Sequence, residues 1–275
     1  MKLFGRFVIK LALLGTVCLV SSPPLMAGFP QKSGIYFNHG DSALTDLQVK
    51  ELIQNLRCIT GLNDLYLTSD GALSVDRTNP SKTGSLTARN ILLQAIDSGI
   101  VFIIEDYSGS HTIHFGQLDQ GTNYEDFGKT QRLLIFSVRL DFKDFKEMEA
   151  PQEVRKSFDI GFVLLHELLH GLGYEDTKER GEIGNCERLI NQARTEIGLP
   201  IREHYIGERV FMRSGFATIR LSFRSAPQSL HRTRSRRYYL YFLNRSYPGS
   251  ETTARSNSKH SSRTFTKDIN SSIQR

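Results

Sequence analysis

The sequence lacks an apolar run near its N-terminus that is long enough to anchor the chain in a membrane. The run LALLGTVCLV, residues 11–20, is well short of the roughly 20 apolar residues that a membrane-spanning helix needs, and SSPP follows it. Three basic residues precede the run, and the small residue Ala27 stands before Gly28. A basic start, a short apolar segment and a small-residue end are typical of a secretory signal peptide. We therefore expect residues 1–27 to direct export, which makes the protein secreted or periplasmic.

Cysteine is scarce, with only three residues in the 275-residue chain. Removal of the signal peptide would take Cys18 with it and leave Cys58 and Cys186. These two could form one disulfide in an oxidising compartment. They could equally remain two separate buried thiols, because the sequence does not place their Cα atoms within bridging distance. Both alternatives stay open at this point.

Acidic residues are scarce only at the C-terminal end. Residues 201–275 contain 15 Lys and Arg against 4 Asp and Glu, a formal charge of +11, whereas residues 1–200 carry −5. The net charge of +6 alone would suggest a nucleic-acid-binding protein, but the basic residues lie in the tail, so we expect no specific nucleic acid as a partner. With 39% hydrophobic residues, the chain can also bury a core, which excludes a wholly disordered or collagen-like protein.

The basic tail, residues 214–275, divides into two parts. Up to about residue 248 it mixes arginine with aromatic residues, and the alternation in IRLSF and the run YYLYFL predict one or two strands. Beyond that point the sequence is rich in Ser, Thr, Arg and Asn, which predicts disorder. Two functions stay open for the tail. It is either a solubilising segment or an adhesive one that binds an anionic surface, such as a membrane or an envelope polysaccharide.

Residues 28–213, between the signal peptide and the tail, predict an α+β domain. Helical spacing of apolar residues, with caps at Asp41 or Ser42 for the first helix and Ser85 for the second, predicts helices over 43–57, 86–98, 151–172 and 185–197. The runs LYLT and ALSV flank Ser-Asp-Gly and predict a hairpin. Further strands are expected from 100, from 111 and within 133–142, with a loop over 117–130. The third helix is apolar on nearly every face, so we expect it to be buried under a small mixed sheet.

The motif His-Glu-Leu-Leu-His, residues 166–170, lies in this buried helix. Positions i and i+4 share one face of a helix, so the imidazoles of His166 and His170 can bind the same zinc ion. Glu167 stands beside them and can hold a water molecule on that metal. Unpaired polar groups in a core cost roughly 1–3 kcal/mol each, and a metal ion would satisfy all three side chains. The motif therefore predicts a catalytic Zn²⁺ site.

A catalytic zinc site needs a third protein ligand besides the two histidines. The sequence continues as HELLHGLGYED, with Gly173 where the chain must turn back and Asp176 where a carboxylate ligand could follow. This stretch resembles the extended motif HExxHxxGxxH of the metzincin metallopeptidases, with Asp176 in the place of the third histidine. The resemblance implies a zincin-like fold and zinc-dependent hydrolysis of peptide bonds.

Glu187, on the next predicted helix, is a competing third ligand, as in the gluzincins, where a downstream glutamate completes the site. The region ERLINQARTEIGLPIREHY, which begins at this residue, resembles a pattern in effector-like and polymorphic-toxin-associated bacterial zinc metallopeptidases. The positions of that pattern are Glu187, Asn191, Arg194, Glu196, Gly198, Pro200, Arg202 and Tyr205. The two ligand sets, with Asp176 or with Glu187, both stay open. The resemblance to zincins also offers Tyr205 or Tyr174 as a donor to the oxyanion, although packing is the more common role of such a tyrosine.

These residues together predict a zinc-dependent endopeptidase that cleaves protein substrates, with Glu167 as the general base. Two alternatives from other classes stay open. The motif sets up the attacking water and not the substrate, so the chain could be a zinc hydrolase acting on a non-peptide amide. A non-catalytic envelope-binding module with a degenerate site would bind zinc without hydrolysing protein.

Overall fold

The computed structural model describes residues 33–38, 40–77, 83–119, 121–125, 132–177, 179, 181–211, 217–225 and 235–243. The predicted signal peptide and the predicted disorder beyond residue 248 lie outside these ranges. Within them, no helix combines the length and the apolar character needed to cross a membrane. The structure is a mixed α+β fold, which confirms the predicted α+β class, whereas the zincin-like fold stays a prediction.

The described residues form six helices and eleven strands. In chain order they are β1 (Gly34–Phe37), α1 (Asp46–Thr60), β2 (Leu65–Leu67), β3 (Leu73–Val75), α2 (Leu86–Asp97), β4 (Val101–Asp106), β5 (Gly116–Leu118), β6 (Thr122–Glu125), β7 (Arg132–Leu140), α3 (Phe142–Glu147), α4 (Gln152–Ser157), α5 (Ile160–Gly171), α6 (Asn185–Glu196), β8 (Ile201–Arg202), β9 (Glu208–Phe211), β10 (Ala217–Arg224) and β11 (Arg237–Leu243). Within this part of the chain, the strands form a five-stranded sheet, a four-stranded sheet and a two-stranded hairpin.

The five-stranded sheet has parallel strands at its centre and antiparallel strands beside them. β4 pairs in parallel with β1 and β7, so that Ile104 lies opposite Phe37 on one side and Val138 on the other. β5 and β6 both run antiparallel to β7. β5 ends the strand order and lies against α5. The sheet therefore brings a short edge strand next to the helix that carries the histidine motif.

α5 is buried on nearly all its faces, as the sequence predicts. It packs against the five-stranded sheet, where Gly171 meets Phe102 of β4. A Cβ atom at Gly171 would lie 2.2 Å from Cε1 of Phe102, which is closer than carbon atoms can approach. The absence of a side chain at this position therefore sets the distance between the helix and the sheet.

Several predicted elements are confirmed because a local signal specifies each of them. α2 follows its predicted cap, Ser85, whose Oγ accepts a hydrogen bond from the backbone N–H of Ala88 at 2.9 Å. β2 and β3 form the predicted hairpin, and α6 begins at Asn185 as predicted. β10 and β11 pair with each other as the expected strands of the tail.

α1 begins at Asp46, later than the predicted residue 43, and ends at Thr60. Its cap is Thr45 and not Asp41 or Ser42. The backbone N–H of Gln48 donates to Thr45 Oγ1 at 3.3 Å, and the backbone N–H of Thr45 donates to Gln48 Oε1 at 2.7 Å. This reciprocal pair is a capping box, and it fixes the start of the helix.

The predicted continuous helix over 151–172 is wrong, because the structure contains two helices there. α4 ends at Ser157 and α5 begins at Ile160. The side chain of Asp159 accepts a hydrogen bond from the backbone N–H of Phe162 at 3.0 Å and caps α5. An aspartate that bonds the backbone in this way competes with continuation of the preceding helix.

The strand expected from residue 111 is also wrong, because residues 111–115 are irregular and β5 begins at Gly116. Phe115 has a φ of 67°, and the backbone N–H of Gly116 donates to the carbonyl oxygen of His114 at 2.8 Å. These features define a γ-turn with a positive φ, which is a strained conformation for phenylalanine. The loop expected over 117–130 contains the end of β5 and the whole of β6.

α3 follows β7 directly and has no counterpart among the predicted elements. β7 ends at Leu140, and the Oδ1 atom of Asp141 then accepts hydrogen bonds from the backbone N–H groups of Lys143 and Asp144, at 2.9 and 3.0 Å. The predicted strand within 133–142 is therefore confirmed only as far as residue 140. As at Asp159, an aspartate side chain that accepts backbone hydrogen bonds marks the start of a helix, here directly after a strand.

The four-stranded sheet is built from β8 to β11 and includes the strands of the basic tail. Leu221, Phe223, Leu240 and Phe242 belong to the same hydrophobic core as α5. Backbone hydrogen bonds of 2.8 Å in both directions join Glu149 and Tyr241, which ties this sheet to the segment before α4. The boundary predicted at residue 213 stays a prediction, but the described strands after it pack into the core of the preceding residues.

We expect Asp159→Ala to lower the free energy of unfolding by about 1 kcal/mol, because it removes the side-chain cap of α5 and leaves a backbone N–H group without its partner. Asp159→Asn keeps an oxygen acceptor at the same position and should retain most of the stability. Urea denaturation followed by circular dichroism measures both variants. Equal losses in the two variants would show that the charge of Asp159, and not the cap, stabilises the helix start.

Candidate metal centre

His166 and His170 lie one turn apart on α5, and their side chains converge on Asp176. The Nε2 atoms of the two histidines lie 2.8 and 3.1 Å from Oδ2 of Asp176. The three candidate ligand atoms lie within 4.8 Å of one another. A tetrahedral zinc ion with bonds of about 2.0–2.1 Å places its ligand atoms roughly 3.3 Å apart. The three side chains are therefore close to the separation that a metal ion requires.

Asp176 reaches the histidines because the chain turns back after α5. Gly173 has a φ of +90°, which confirms the predicted turn at this glycine. The carboxylate of Asp176 then lies with its side chain only 9% exposed. Burial opposes its ionisation, but hydrogen bonds from His166 and His170 hold the pKa of Asp176 well below its ordinary value. Its other oxygen, Oδ1, is buried and has no hydrogen-bond partner among the residues that the structure describes.

Glu187 lies on the opposite side of His166 from Asp176. Its Oε2 atom is 3.4 Å from Nδ1 of His166, whereas Asp176 faces Nε2. Arg194 and Arg202 also contact the Glu187 carboxylate. Burial opposes ionisation, but the two guanidinium groups hold the pKa of Glu187 well below its usual range. This arrangement favours Asp176 as the third ligand and makes Glu187 the group that orients His166.

Other residues of the downstream motif hold this carboxylate in place. Oδ1 of Asn191 accepts from Nη1 of Arg194 and from the backbone N–H of Arg202, both at 2.8 Å. Nε of Arg194 donates to the carbonyl oxygen of Ser157 at 2.6 Å. Glu196 does not contact this carboxylate. Its own carboxylate accepts a hydrogen bond from the backbone N–H of Thr87, at the start of α2, at 2.9 Å. The sequence pattern named these residues without indicating which of them would contact the site.

Glu167 lies on α5 close to β5 and lines the same cavity as Glu187. Its carboxyl group is buried and accepts a hydrogen bond from the backbone N–H of Leu118. Burial raises the pKa of Glu167, and the neighbouring His166 and His170 oppose that rise. The strand approaches closely here, because a Cβ atom at Gly116 would lie 3.4 Å from Oε1 of Glu167. Glu167 is thus a carboxyl group with a raised pKa beside a candidate metal site, as general-base chemistry requires.

Tyr205 is the candidate tyrosine that lies at the site. Its ring stacks on the imidazole of His166, with centroids 5.6 Å apart and an angle of 7° between the planes. Burial and the Asp176 carboxylate raise the pKa of Tyr205, so its hydroxyl stays protonated at neutral pH. Tyr174 contributes through its backbone, since its carbonyl oxygen lies 3.1 Å from Nδ1 of His170. The structure therefore separates the roles of the two tyrosines.

Cys186 also lies next to the site. The sequence suggested this residue only as a possible disulfide partner. Its Sγ atom lies 3.5 Å from Nδ1 of His170, on the side away from Asp176. Cys186 is buried, Cys58 is exposed, and both are free thiols, so the disulfide alternative is not the one that the structure contains. Burial and nearby carboxylates raise the pKa of Cys186. Its position directly before Glu187 in the sequence was the available signal for this placement.

A cavity of about 240 Å³ is lined by His166 and Glu167 but not by His170 or Asp176. Its walls are mainly aromatic and aliphatic and come from separate parts of the fold. They include Phe115, Phe158, Phe162, Ile219, Leu221 and Phe242. Three of these side chains belong to β10 and β11, so no spacing within the histidine motif could have indicated the cavity.

No protein-family model, curated protein or solved structure matches the chain. The function is therefore inferred from the chemistry of the site itself.

We expect Asp176→Ala to abolish stoichiometric zinc binding, whereas Glu187→Gln should keep one zinc ion per chain with an affinity reduced by about 10–100-fold. The first variant removes a ligand, and the second removes the carboxylate behind His166. Glu175→Gln is the matched control, because Glu175 is an exposed acid next to Asp176. Metal analysis and competition with a chromophoric chelator measure stoichiometry and affinity. The reverse ranking of Asp176→Ala and Glu187→Gln would identify Glu187 as the ligand.

Zinc affinity should fall as the pH is lowered. Burial opposes protonation of His166, but hydrogen bonds to Asp176 and Glu187 raise its pKa to about 9 in the metal-free protein. A metal ligand must be deprotonated, so zinc has to displace this proton throughout the range below pH 9. We expect the apparent affinity to fall by roughly tenfold per pH unit between pH 8 and pH 6 for each proton displaced. Chelator competition at three pH values, corrected for protonation of the chelator, tests this; a flat profile would contradict it.

Proposed function

We propose that the chain is a zinc-dependent endopeptidase that hydrolyses protein substrates. The observation that carries the proposal is the convergence of His166, His170 and Asp176 beside a buried glutamate, Glu167. Three protein ligands leave one position open on a tetrahedral metal ion, which is the arrangement of catalytic rather than structural zinc sites. Two imidazole nitrogens and one carboxylate oxygen are also ordinary ligands for zinc.

A zinc ion bound at such a site supplies a Lewis acid that polarises a carbonyl group and lowers the pKa of water toward about 7. The side chains of the protein would hold the ion and orient its ligands. Asp176 contributes the negative charge of the ligand set, and Glu187 keeps the proton of His166 on Nδ1, so that Nε2 is free to bind. His170 is oriented in the same way by the carbonyl oxygen of Tyr174.

Glu167 is the proposed general base and then the general acid. Its carboxylate takes a proton from the attacking water and delivers it to the nitrogen of the leaving amine. Burial raises the pKa of this carboxyl group, which favours acceptance of a proton. The backbone N–H of Leu118 holds the carboxyl group in place.

Tyr205 is the proposed donor to the oxyanion that forms when the peptide carbonyl is attacked. Its ring is fixed by stacking on His166, and its hydroxyl remains protonated. A protonated, oriented hydroxyl group beside the ligand set is what such a role requires. Export of this enzyme through residues 1–27, and binding of the basic tail to an anionic surface, remain predictions from the sequence.

We expect Glu167→Gln to lower kcat for a protein substrate by about 10²–10⁴-fold while zinc remains bound, because the amide cannot accept the proton. Zinc content and the rate of hydrolysis of an unfolded protein substrate are measured on the same samples, with Glu175→Gln as the control. Wild-type activity in Glu167→Gln would overturn the assignment of the base. Stoichiometric zinc without hydrolysis of any protein in the wild type would favour a non-peptide amide substrate or a non-catalytic zinc module instead.

A further inference from the structure

The cavity beside the candidate metal centre joins the proposed catalytic residues to the strands of the basic tail. His166 and Glu167 line one end, and Ile219, Leu221 and Phe242 line the wall formed by β10 and β11. Tyr205 and Gly207 also line it and are half-buried, so the cavity reaches the protein surface. A substrate side chain bound in this cavity would therefore belong to a peptide whose backbone lies next to Glu167.

The volume of the cavity suits a large side chain. It measures about 240 Å³, whereas an engineered apolar cavity of roughly 150 Å³ is enough to bind benzene. A phenylalanine ring or a side chain of the size of leucine or methionine could enter without displacing the walls. A glycine or alanine side chain would leave most of the apolar surface without contacts, so it would gain little binding energy.

Aromatic contacts make one wall of the cavity rigid. The ring of Phe115 packs edge-on against Phe158 and against Phe242, with centroid distances of 4.8 Å in both pairs. The γ-turn at Phe115 places this ring, and the backbone N–H of Phe115 donates to Oδ2 of Asp144 at 3.0 Å. A wall of interlocked rings keeps its shape and can discriminate between side chains by size.

Three charged groups of the cavity wall already have partners of opposite charge. Glu187 is paired with Arg194 and Arg202, and Arg202 also donates to the carbonyl oxygens of His204 and Tyr205. His114 lies with Nδ1 3.7 Å from the carboxylate of Asp144. An entering charged side chain would lose its hydration and would find no unpaired charge among these three groups, which is unfavourable. The lining therefore favours an uncharged side chain.

We propose that this cavity is the specificity pocket of the enzyme, that it takes a large uncharged apolar residue of the substrate, and that Ile219 of the C-terminal strands limits its size. The inference rests on the proposed function, because it needs a peptide chain bound across Glu167. It gives the described part of the basic tail a direct role in substrate selection.

Cleavage-site profiling tests the proposal. The zinc-loaded full-length protein digests a complex peptide mixture, and mass spectrometry identifies the cleaved bonds. We expect Phe, Leu or Met to be enriched at one fixed position beside the cleaved bond, and Asp, Glu, Lys and Arg to be depleted there. Ile219→Phe fills the pocket and should lower kcat/KM for a peptide with Phe at that position by at least about tenfold.

Two further variants make the result specific to the pocket. Ile219→Ala enlarges the cavity and should shift the preference toward Tyr and Trp, which keeps the test decisive if Ile219→Phe does not fold. Ser222→Ala is the matched control on the same strand, because Ser222 pairs with Tyr239 on the opposite face from the cavity. The melting temperature and zinc content of each variant are measured alongside. Cleavage without residue preference, or a preference unchanged in both Ile219 variants, would overturn the proposal.

A binding measurement separates failure of the pocket from failure of the proposed function. The probes are N-acetyl-phenylalanine amide and N-acetyl-glycine amide, and saturation-transfer NMR detects their binding to the zinc-loaded Glu167→Gln protein. Binding of the phenylalanine probe alone, lost in the double variant with Ile219→Phe, supports the pocket even if the wild type hydrolyses no protein. Equal signals from the two probes, or none from either, would overturn the pocket even if hydrolysis occurs.

Discussion

The position of Glu187 between His166 and two arginines is the interaction on which most of the site depends. The carboxylate is 1% exposed, and removing such a group from water costs several kcal/mol unless it is well paired. Arg194 and Arg202 offset that cost, and Asn191 bonds both of them. Because Arg194 also donates to Ser157 at the end of α4, one network fixes α4, α6 and β8 around His166.

The histidine helix satisfies its buried polar groups in two directions. The Nε2 atoms of His166 and His170 face Asp176, and their Nδ1 atoms face Glu187 and the carbonyl oxygen of Tyr174. Glu167 bonds a different element, the edge strand β5. The protein therefore supplies partners behind each imidazole and leaves the shared face with the oxygen atoms of Asp176. An apolar helix can carry this many polar groups only because each of them has a defined partner.

Local signals in the sequence were enough to predict much of this arrangement. Ser85 predicted the start of α2, the spacing of His166 and His170 predicted a shared face, and Gly173 predicted the turn that returns Asp176. The break at Asp159 was not predicted, because apolar residues continue on both sides of it and conceal the cap. The γ-turn at Phe115 was not predicted either, since phenylalanine rarely adopts a positive φ without tertiary contacts.

The placement of Glu187 and the origin of the cavity could not be predicted for a different reason. Both depend on contacts between residues far apart in the chain. The sequence pattern grouped Glu187, Arg194 and Arg202 correctly, but the proposed choice between ligand and support rests on which nitrogen of His166 the carboxylate meets. Similarly, alternation in the tail predicted β10 and β11 as strands, whereas only the folded chain shows that Ile219 and Phe242 line the same cavity as Glu167.

The distribution of these supporting residues along the chain has a consequence for the order in which the site assembles. His166 and His170 become neighbours as soon as α5 forms, because they are four positions apart. Glu187, which faces Nδ1 of His166, arrives with α6, whose contacts with α5 close a longer loop and form more slowly. A partly folded chain in which α6 has not docked therefore holds His166 without the carboxylate that faces its Nδ1 atom. The proposed metal site is therefore complete only after α6 has docked, and the unfolded chain should bind a metal ion more weakly than the folded protein.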